Sequence, residues 1–301
     1  MQVDTMLPDQ AQVAEIVVFG EVLYDVLPNR QRVLGGAPFN VAWGLKGLGQ
    51  DPLLLSAVGN DAEGQRIRER MAAWELSVEG LRTDLVHATG EVYVTIADDE
   101  PSYEICSPRA WDSIEDGGII AEQIVYHGSL ALRSAVSAAS LSALTARSSA
   151  RRFFDINLRA PFYSLDLLRE WIRGVDWLKL NIDELVLLLE DRSVTFQNCE
   201  RYVEQLIADF EIENVLLTGG REGALIHGAY GHALCTPAPS PVPFVDTVGA
   251  GDSFTAFTIH GITIGMPAEQ IVIQASDFAA KVCGLQGATS ERKSFYTNHL
   301  R

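Results

Sequence analysis

The chain has 301 residues, enough for one large α/β domain or two small ones and for a sizeable core. Hydrophobic residues make up 47% and charged residues 21%, a globular composition rather than a disordered one. The formal net charge of −17 argues against nucleic acid and anionic membrane as partners.

Cys106, Cys199, Cys235 and Cys283 are far apart and form no C-x-x-C pair, so reduced thiols in a cytoplasmic protein are expected. The N-terminal stretch MQVDTMLPDQAQVAE carries acids and no apolar run, which reads as a frayed tail and not as a signal peptide. No run of about 18 apolar residues is present to span a membrane. The histidines (His87, His127, His227, His232, His260 and His299) show no metal spacing. His127 is expected as a buried, satisfied side chain.

In chain order the elements alternate. Ile16–Gly20 reads as a buried strand, and Phe39–Leu48 as a helix with Phe39, Ala42, Leu45 and Leu48 on one face. Residues 62–74 are helical in pattern, Ile124–His127 strand-like, 134–147 helical. Arg152–Ile156 is a strand, 165–173 a helix, and Trp177–Leu180 a short strand followed by a helix through Leu189. A helix fits 199–210, a strand Asn214–Thr218, and two helices 251–264 and 267–284. Strand then helix, repeated, predicts a mostly parallel sheet covered on both faces. One region breaks the rhythm. Glu91–Ala97 and Ser102–Cys106 alternate with period 2 about a polar turn, Asp98–Pro101, and Tyr24–Leu34 is loop- or strand-like. Together they predict a small sheet standing off the core, either an edge decoration or a lid.

The segment that carries chemistry is Asp246–Asp252, DTVGAGD, followed by the apolar helical run SFTAFTIHGI. Gly249, Ala250 and Gly251 have little or no side chain, so their backbone N–H groups can converge on one anion. A helix starting near Gly251 would add its positive end. Asp252 then lies beside a bound phosphate, an odd place for a carboxylate unless it takes a proton from an attacking hydroxyl. The chain has no G-x-x-x-x-G-K-[ST] loop, and no G-x-G-x-x-G after its first strand.

DTVGAGDSF, together with Leu34–Gly49 (LGGAPFNVAWGLKGLG), resembles the paired signatures of the ribokinase-like (PfkB) carbohydrate kinases. The resemblance runs from about residue 16 to about residue 290. It implies an α/β fold: a three-layer α/β/α core with a mostly parallel central sheet and a small β-sheet lid. One kinase domain would fill 1–301, with a discontinuous lid at roughly 21–34 and 90–107. It also implies ATP and Mg2+, a sugar as the other partner, a monovalent cation such as K+, and a homodimer through the lid.

Residue by residue, Asp252 matches the family's catalytic base, and Gly249, Ala250 and Gly251 its anion hole. Asp25, in GEVLYDVLP, matches an Asp that binds sugar hydroxyls, and Gly36 and Asn40 match sugar-binding positions. Asn181 and Glu184 (LNIDEL) match an N-x-x-E linked to magnesium through water; the same spacing is also a capping box. Thr218, Gly220 and Gly223 (LLTGGREG) match a turn that touches the nucleotide. Gly287–Ala288 would close beside the adenine, with Ser276 and Cys283 as neighbours. Asp246 and Val248 would offer oxygens to the monovalent cation.

The motif GGAPFN lacks the Lys of ribokinases and is closer to fructokinases, although Phe39 stands where many of those have a small residue. The run DDEPSYEICSPRAWDSI also resembles a bacterial fructokinase subgroup, with Tyr103 and Trp111 as lid contacts. Asp155–Arg159 (DINLR), including Asn157, is shared in form with 2-keto-3-deoxygluconate kinases. Arg159 there would bind a carboxylate bidentately, or pair with a local acid. The expected reaction is phosphorylation of fructose to fructose 6-phosphate, with a sugar acid, ribose or a nucleoside as alternatives.

Overall fold

The computed structural model describes residues 12–97, 100–236, 238–239, 241 and 243–297. The expected N-terminal tail and the Asp98–Asp99 tip of the predicted hairpin lie outside these residues. In chain order the strands are β1 (Val13–Phe19), β2 (Leu23–Val26), β3 (Arg32–Gly35), β4 (Pro52–Gly59), β5 (Leu81–Asp84), β6 (Gly90–Ala97), β7 (Glu100–Ile105), β8 (Ile120–Gly128), β9 (Arg151–Asp155), β10 (Trp177–Asn181), β11 (Asn214–Thr218), β12 (Ala224–Gly228) and β13 (Gly231–Cys235). The helices are α1 (Ala37–Gly47), α2 (Ala62–Ala73), α3 (Ala135–Arg147), α4 (Leu165–Ile172), α5 (Ile182–Leu189), α6 (Cys199–Phe210), α7 (Ala250–Thr263), α8 (Ala268–Val282) and α9 (Lys293–Thr297).

A nine-stranded sheet runs in the order β13-β12-β11-β10-β9-β8-β1-β4-β5. Its pairings are parallel from β11 through to β5, and antiparallel at β11–β12 and β12–β13. Period-2 alternation in β1 splits the core in two. Ile16 and Val18 face one cluster with residues of α1, α2, α7 and α8; Val17 and Phe19 face another with residues of α3 to α6. A sheet covered on both faces explains why its strands read as nearly unbroken apolar runs.

That same property hid β4. All eight of its residues are buried, and PLLLSAVG has neither alternation nor helical period to mark it. The antiparallel edge strands β12 and β13 were also not legible, since Gly228, Ala229 and Gly231 read only as a turn.

The second sheet has the order β3-β2-β6-β7. β2 pairs antiparallel with β3 and parallel with β6, which forms the predicted hairpin with β7. Tyr103, on β7, is 53% exposed, as a lid residue should be. Trp111 is fully buried in a short 3-10 turn, packed against Gly90 of β6 and with the Arg133 guanidinium 3.9 Å over its ring. His127 is buried as expected but only half satisfied: Nδ1 lies 3.2 Å from the Gly128 carbonyl, while Nε2 has no partner among the described residues.

Candidate active site

In a mostly parallel sheet the strands end along one edge, and the chain reverses its order of addition between β1 and β8. Ligands of such sheets bind outside the carboxyl ends of the strands, at that reversal. The residues singled out in sequence collect on this edge. Asp25 lies on β2, shortly after β1; Asn157 and Arg159 follow β9, Asn181 ends β10, and Thr218 ends β11.

Two helices point their N-termini here. Gly36 caps α1 at φ 102°, and an added Cβ would sit 2.6 Å from the Glu21 carbonyl oxygen, so only glycine fits. Gly249 caps α7 at φ 77°, with Ala288 pressed against it. Asn40 and Asp252, from the first turns of these helices, meet: Asn40 Nδ2 donates to Asp252 Oδ2 at 2.7 Å. Asp252 is half-buried. Burial raises its carboxyl above the usual range, and Asp155 adds to this; the Asn40 hydrogen bond, Lys179 and Arg159 pull the other way.

The glycine turn differs in one detail from the expected three-donor nest. The Ala250 N–H donates to the Thr247 carbonyl at 3.1 Å. The Gly251 and Asp252 N–H groups remain as first-turn donors, since a helix supplies no internal acceptor there. Val248 N–H is turned inward to Asp246 Oδ1 at 2.8 Å, so this Asp shapes the loop leading into α7.

Beneath α7 lies a buried ion pair between Asp155, the first residue of DINLR, and Lys179, which no sequence motif includes. Lys179 Nζ, on β10, donates to Asp155 Oδ2 at 2.9 Å and Oδ1 at 3.0 Å. Thr255 of α7 donates to Asp155 Oδ2 at 3.1 Å, and a Cβ on Gly251 would stand 3.4 Å from Lys179 Nζ. Burial alone would lower the Lys179 ammonium, but Asp155 and Glu184 outweigh it and the net direction is up. The pair thus supports the floor of the α7 N-terminus with positive charge.

Asn181 and Glu184 form the capping box. Glu184 N–H donates to Asn181 Oδ1 at 2.9 Å, and Asn181 N–H to Glu184 Oε2 at 2.8 Å. Glu184 Oε1 accepts from Leu158 N–H at 2.8 Å, tying α5 to the DINLR loop. Burial raises Glu184, and Lys179 opposes it. Both carboxylate oxygens hold backbone N–H groups, so a metal could be reached only through remaining lone pairs or water. Among the described residues, no three His, Cys, Asp or Glu side chains cluster for a metal.

Thr218, Gly220, Gly223 and Ser276 line one cleft of about 540 Å³, together with Ala250, Gly251, Phe254 and Cys283. The cleft reaches the α7 N-terminus at Ala250 and Gly251. At Gly223, φ 126° and contact with the Cys235 carbonyl leave no room for a side chain. A larger, more open hollow of about 800 Å³ lies by the N-terminal ends of β1 and β4, lined by Glu15, Lys46 and Glu75; of the motif residues only Lys46 and Gly49, at the far end of the Leu34–Gly49 segment, reach it.

Asp25, Glu21 and Arg159 share an electrostatic field with Asp252. Burial pushes Asp25 up to about 6, opposed by Arg159 and aided by Asp252. Arg159 is exposed and donates to the Leu158 carbonyl at 2.9 Å. Asn157 precedes it in the left-handed region at φ 38°. Glu21 was missed in sequence. Its residue is 5% exposed, its Oε2 has no partner among the described residues, and burial pushes it up to about 7. A lone Glu after a strand gives no periodic signal; only its neighbours mark it.

The arrangement is a carboxylate at a helix N-terminus, near a group of polar acids and a largely apolar cleft. The model of the pfkB family carbohydrate kinases matches residues 13–294. A fructokinase of Klebsiella pneumoniae is 30% identical, covering 92% of this chain and 94% of its own. Among solved structures, the fructokinase of Vibrio cholerae O395 in its fructose-, ADP- and calcium-bound form superposes with TM-score 0.79 at 23% identity, covering 95% and 98% of the two chains. Aminoimidazole riboside kinase of Salmonella enterica superposes with TM-score 0.80 at 20% identity, covering 95% and 99%. This chain belongs to the pfkB family of carbohydrate kinases.

Proposed function

We propose that this carbohydrate kinase transfers the γ-phosphoryl group of ATP to a hydroxyl of fructose, giving fructose 6-phosphate. The observation that carries the reading is the Asn40–Asp252 contact at the N-terminus of α7, the helix end that the cleft also reaches. Asp252 is the base. It takes the proton of the attacking hydroxyl as the new P–O bond forms and the bond from the γ-phosphorus to the bridging oxygen breaks, releasing ADP. Burial moves this carboxyl upward, toward a pH at which it both ionises and accepts a proton. The Gly251 and Asp252 N–H groups face the charge that develops on the phosphoryl oxygens.

The cleft suits a nucleotide. Phe254, Ala279 and Ala280 offer an apolar surface for a base, and Thr218 and Ser276 offer hydroxyls. Magnesium would arrive with the ATP phosphates and keep most of its water, with Glu184 as an outer contact; it neutralises phosphate charge. A monovalent cation would need carbonyl oxygens of the Asp246–Val248 loop. The kinase of Vibrio cholerae was crystallised with fructose, which supports the sugar assignment by similarity of fold only.

The environment of Arg159 favours a neutral sugar over a sugar acid. Its guanidinium already acts on Glu21, Asp25 and Asp252. A substrate carboxylate would meet the charges of Asp25 and Asp252 around one cation, and like charges repel. Asp25 and Asn40 instead suit hydroxyls, the first as acceptor and the second as donor and acceptor.

The test is ADP release with Mg-ATP across fructose, 2-keto-3-deoxygluconate, ribose, glucose and adenosine, with Asp252→Asn as control. Turnover on fructose that is lost in the variant supports the reading. Turnover on the sugar acid alone would place Arg159 against its carboxylate and overturn it.

A further inference from the structure

Among the described residues, three buried polar atoms close to Asp252 have no hydrogen-bond partner: Glu21 Oε2, Asn40 Oδ1 and Tyr126 Oη. Unpaired buried polar atoms are uncommon, and each needs a reason. Asn40 has one in a sugar hydroxyl. Glu21 lies deeper, two residues beyond β1, and no sequence motif assigns it a task.

Its position is tightly defined. Its own carbonyl oxygen is the wall that forces Gly36, the N-cap of α1, to be glycine. Glu21 therefore fixes the start of the helix that presents Asn40. The charged and titratable groups facing it come from three elements: Arg159 after β9, Asp252 on α7 and Tyr126 on β8. Asp25 on β2 shares the first two. Arg159 is exposed and spread over three carboxyls, and Glu21 forms no ion pair among the described residues. A carboxylate buried without a close cation is costly, and such a group gives up its charge instead.

We propose that Glu21 is a positioning residue of the sugar site that works as a neutral carboxylic acid. It seats α1 through its contact with Gly36, and by staying uncharged it lets Asp25 and Asp252 carry negative charge together around Arg159. When Glu21 ionises, a third negative charge faces the incoming phosphoryl group. The kinase is then slowed on the alkaline side, while ionisation of Asp25 and Asp252 sets the acid side. The reading of Asp252 as base underlies the kinetic half of this inference and not the ionisation of Glu21 itself.

The experiment has two arms. Infrared difference spectra between wild type and Glu21→Gln, without substrate, are followed across pH 7. The protonated-carboxyl band of Glu21 is expected below a midpoint of about 7, lost above it, and absent from the variant. In the second arm, kcat/KM for fructose with Mg-ATP falls by about tenfold above that midpoint in wild type, a factor equal to one unit of pKa coupling. The fall vanishes in Glu21→Gln, which stays neutral at all pH. A glutamate already ionised well below pH 7, or an alkaline fall retained in the variant, overturns the proposal. Should Glu21→Gln not fold, Asp252→Asn serves. Removing that charge lowers the Glu21 midpoint, and an unmoved midpoint overturns the proposal. A protein that shows the band but ignores fructose loses its proposed substrate and keeps this assignment of Glu21.

Discussion

Asn40 Nδ2 donates to Asp252 Oδ2 at 2.7 Å, joining two residues 212 positions apart in the chain. Each stands in the first turn of a glycine-capped helix, and each helix end is positive. The contact therefore aligns the proposed sugar side of the site with its phosphoryl side through one hydrogen bond to a carboxylate. A hydrogen bond to a charged group is worth roughly 1.5–3 kcal/mol, so Asn40→Ala is expected to lower kcat/KM by about 10- to 100-fold. Steady-state kinetics check this, and a change in KM for ATP alone would contradict it.

Asp252→Asn keeps the shape of the side chain and removes its basicity. Turnover should drop by roughly 10²–10⁴-fold, with thermal stability and nucleotide binding retained. Near-normal kcat in a folded variant would refute the assignment of the base.

Lys179→Met leaves Asp155 buried and uncompensated beneath α7. The cost of such a broken pair is about 3–5 kcal/mol, read as a lower midpoint in denaturant at unchanged slope. The change also removes the cation under Gly251, so kcat should fall in whatever fraction remains folded. Equal stability of the variant would show that the pair is solvated.

Glu21 makes stability depend on pH. Burial raises its carboxyl from 4.5 to about 7, so the folded chain holds a proton that the unfolded chain has released. Its contribution is fully present below about 4.5 and is lost as pH rises through about 7, a change of roughly 3 kcal/mol. Melting temperatures of Glu21→Gln and wild type should then converge in acid, and the variant should melt higher above pH 7. His127 has the opposite sign. Burial holds it down at about 3, so its contribution is present above 6.5 and is lost as pH falls through about 3.

Sugar binding should slow hydrogen exchange in β6 and β7, where Tyr93 and Tyr103 are exposed at 40% and 53%. The slowing should reach about tenfold or more at saturating sugar, as a ligand that binds only the closed form requires. Unchanged exchange would make the small sheet a decoration of the fold.

The alternation of strand and helix was legible because each element carries its own period, and β11 falls on the predicted residues Asn214–Thr218. The glycine turns were legible too, because positive φ and close backbone contact at Gly36, Gly223 and Gly249 admit no side chain. Strand β4 was not, since burial on both faces erases the period that would mark it. What only the tertiary structure decided is which side chains share a field. Lys179 under Gly251, Glu21 against Gly36, Trp111 under Arg133 and Asn40 beside Asp252 are contacts between distant segments. No local pattern encodes them, because a charge is shifted by its neighbours in space and not by its neighbours in sequence.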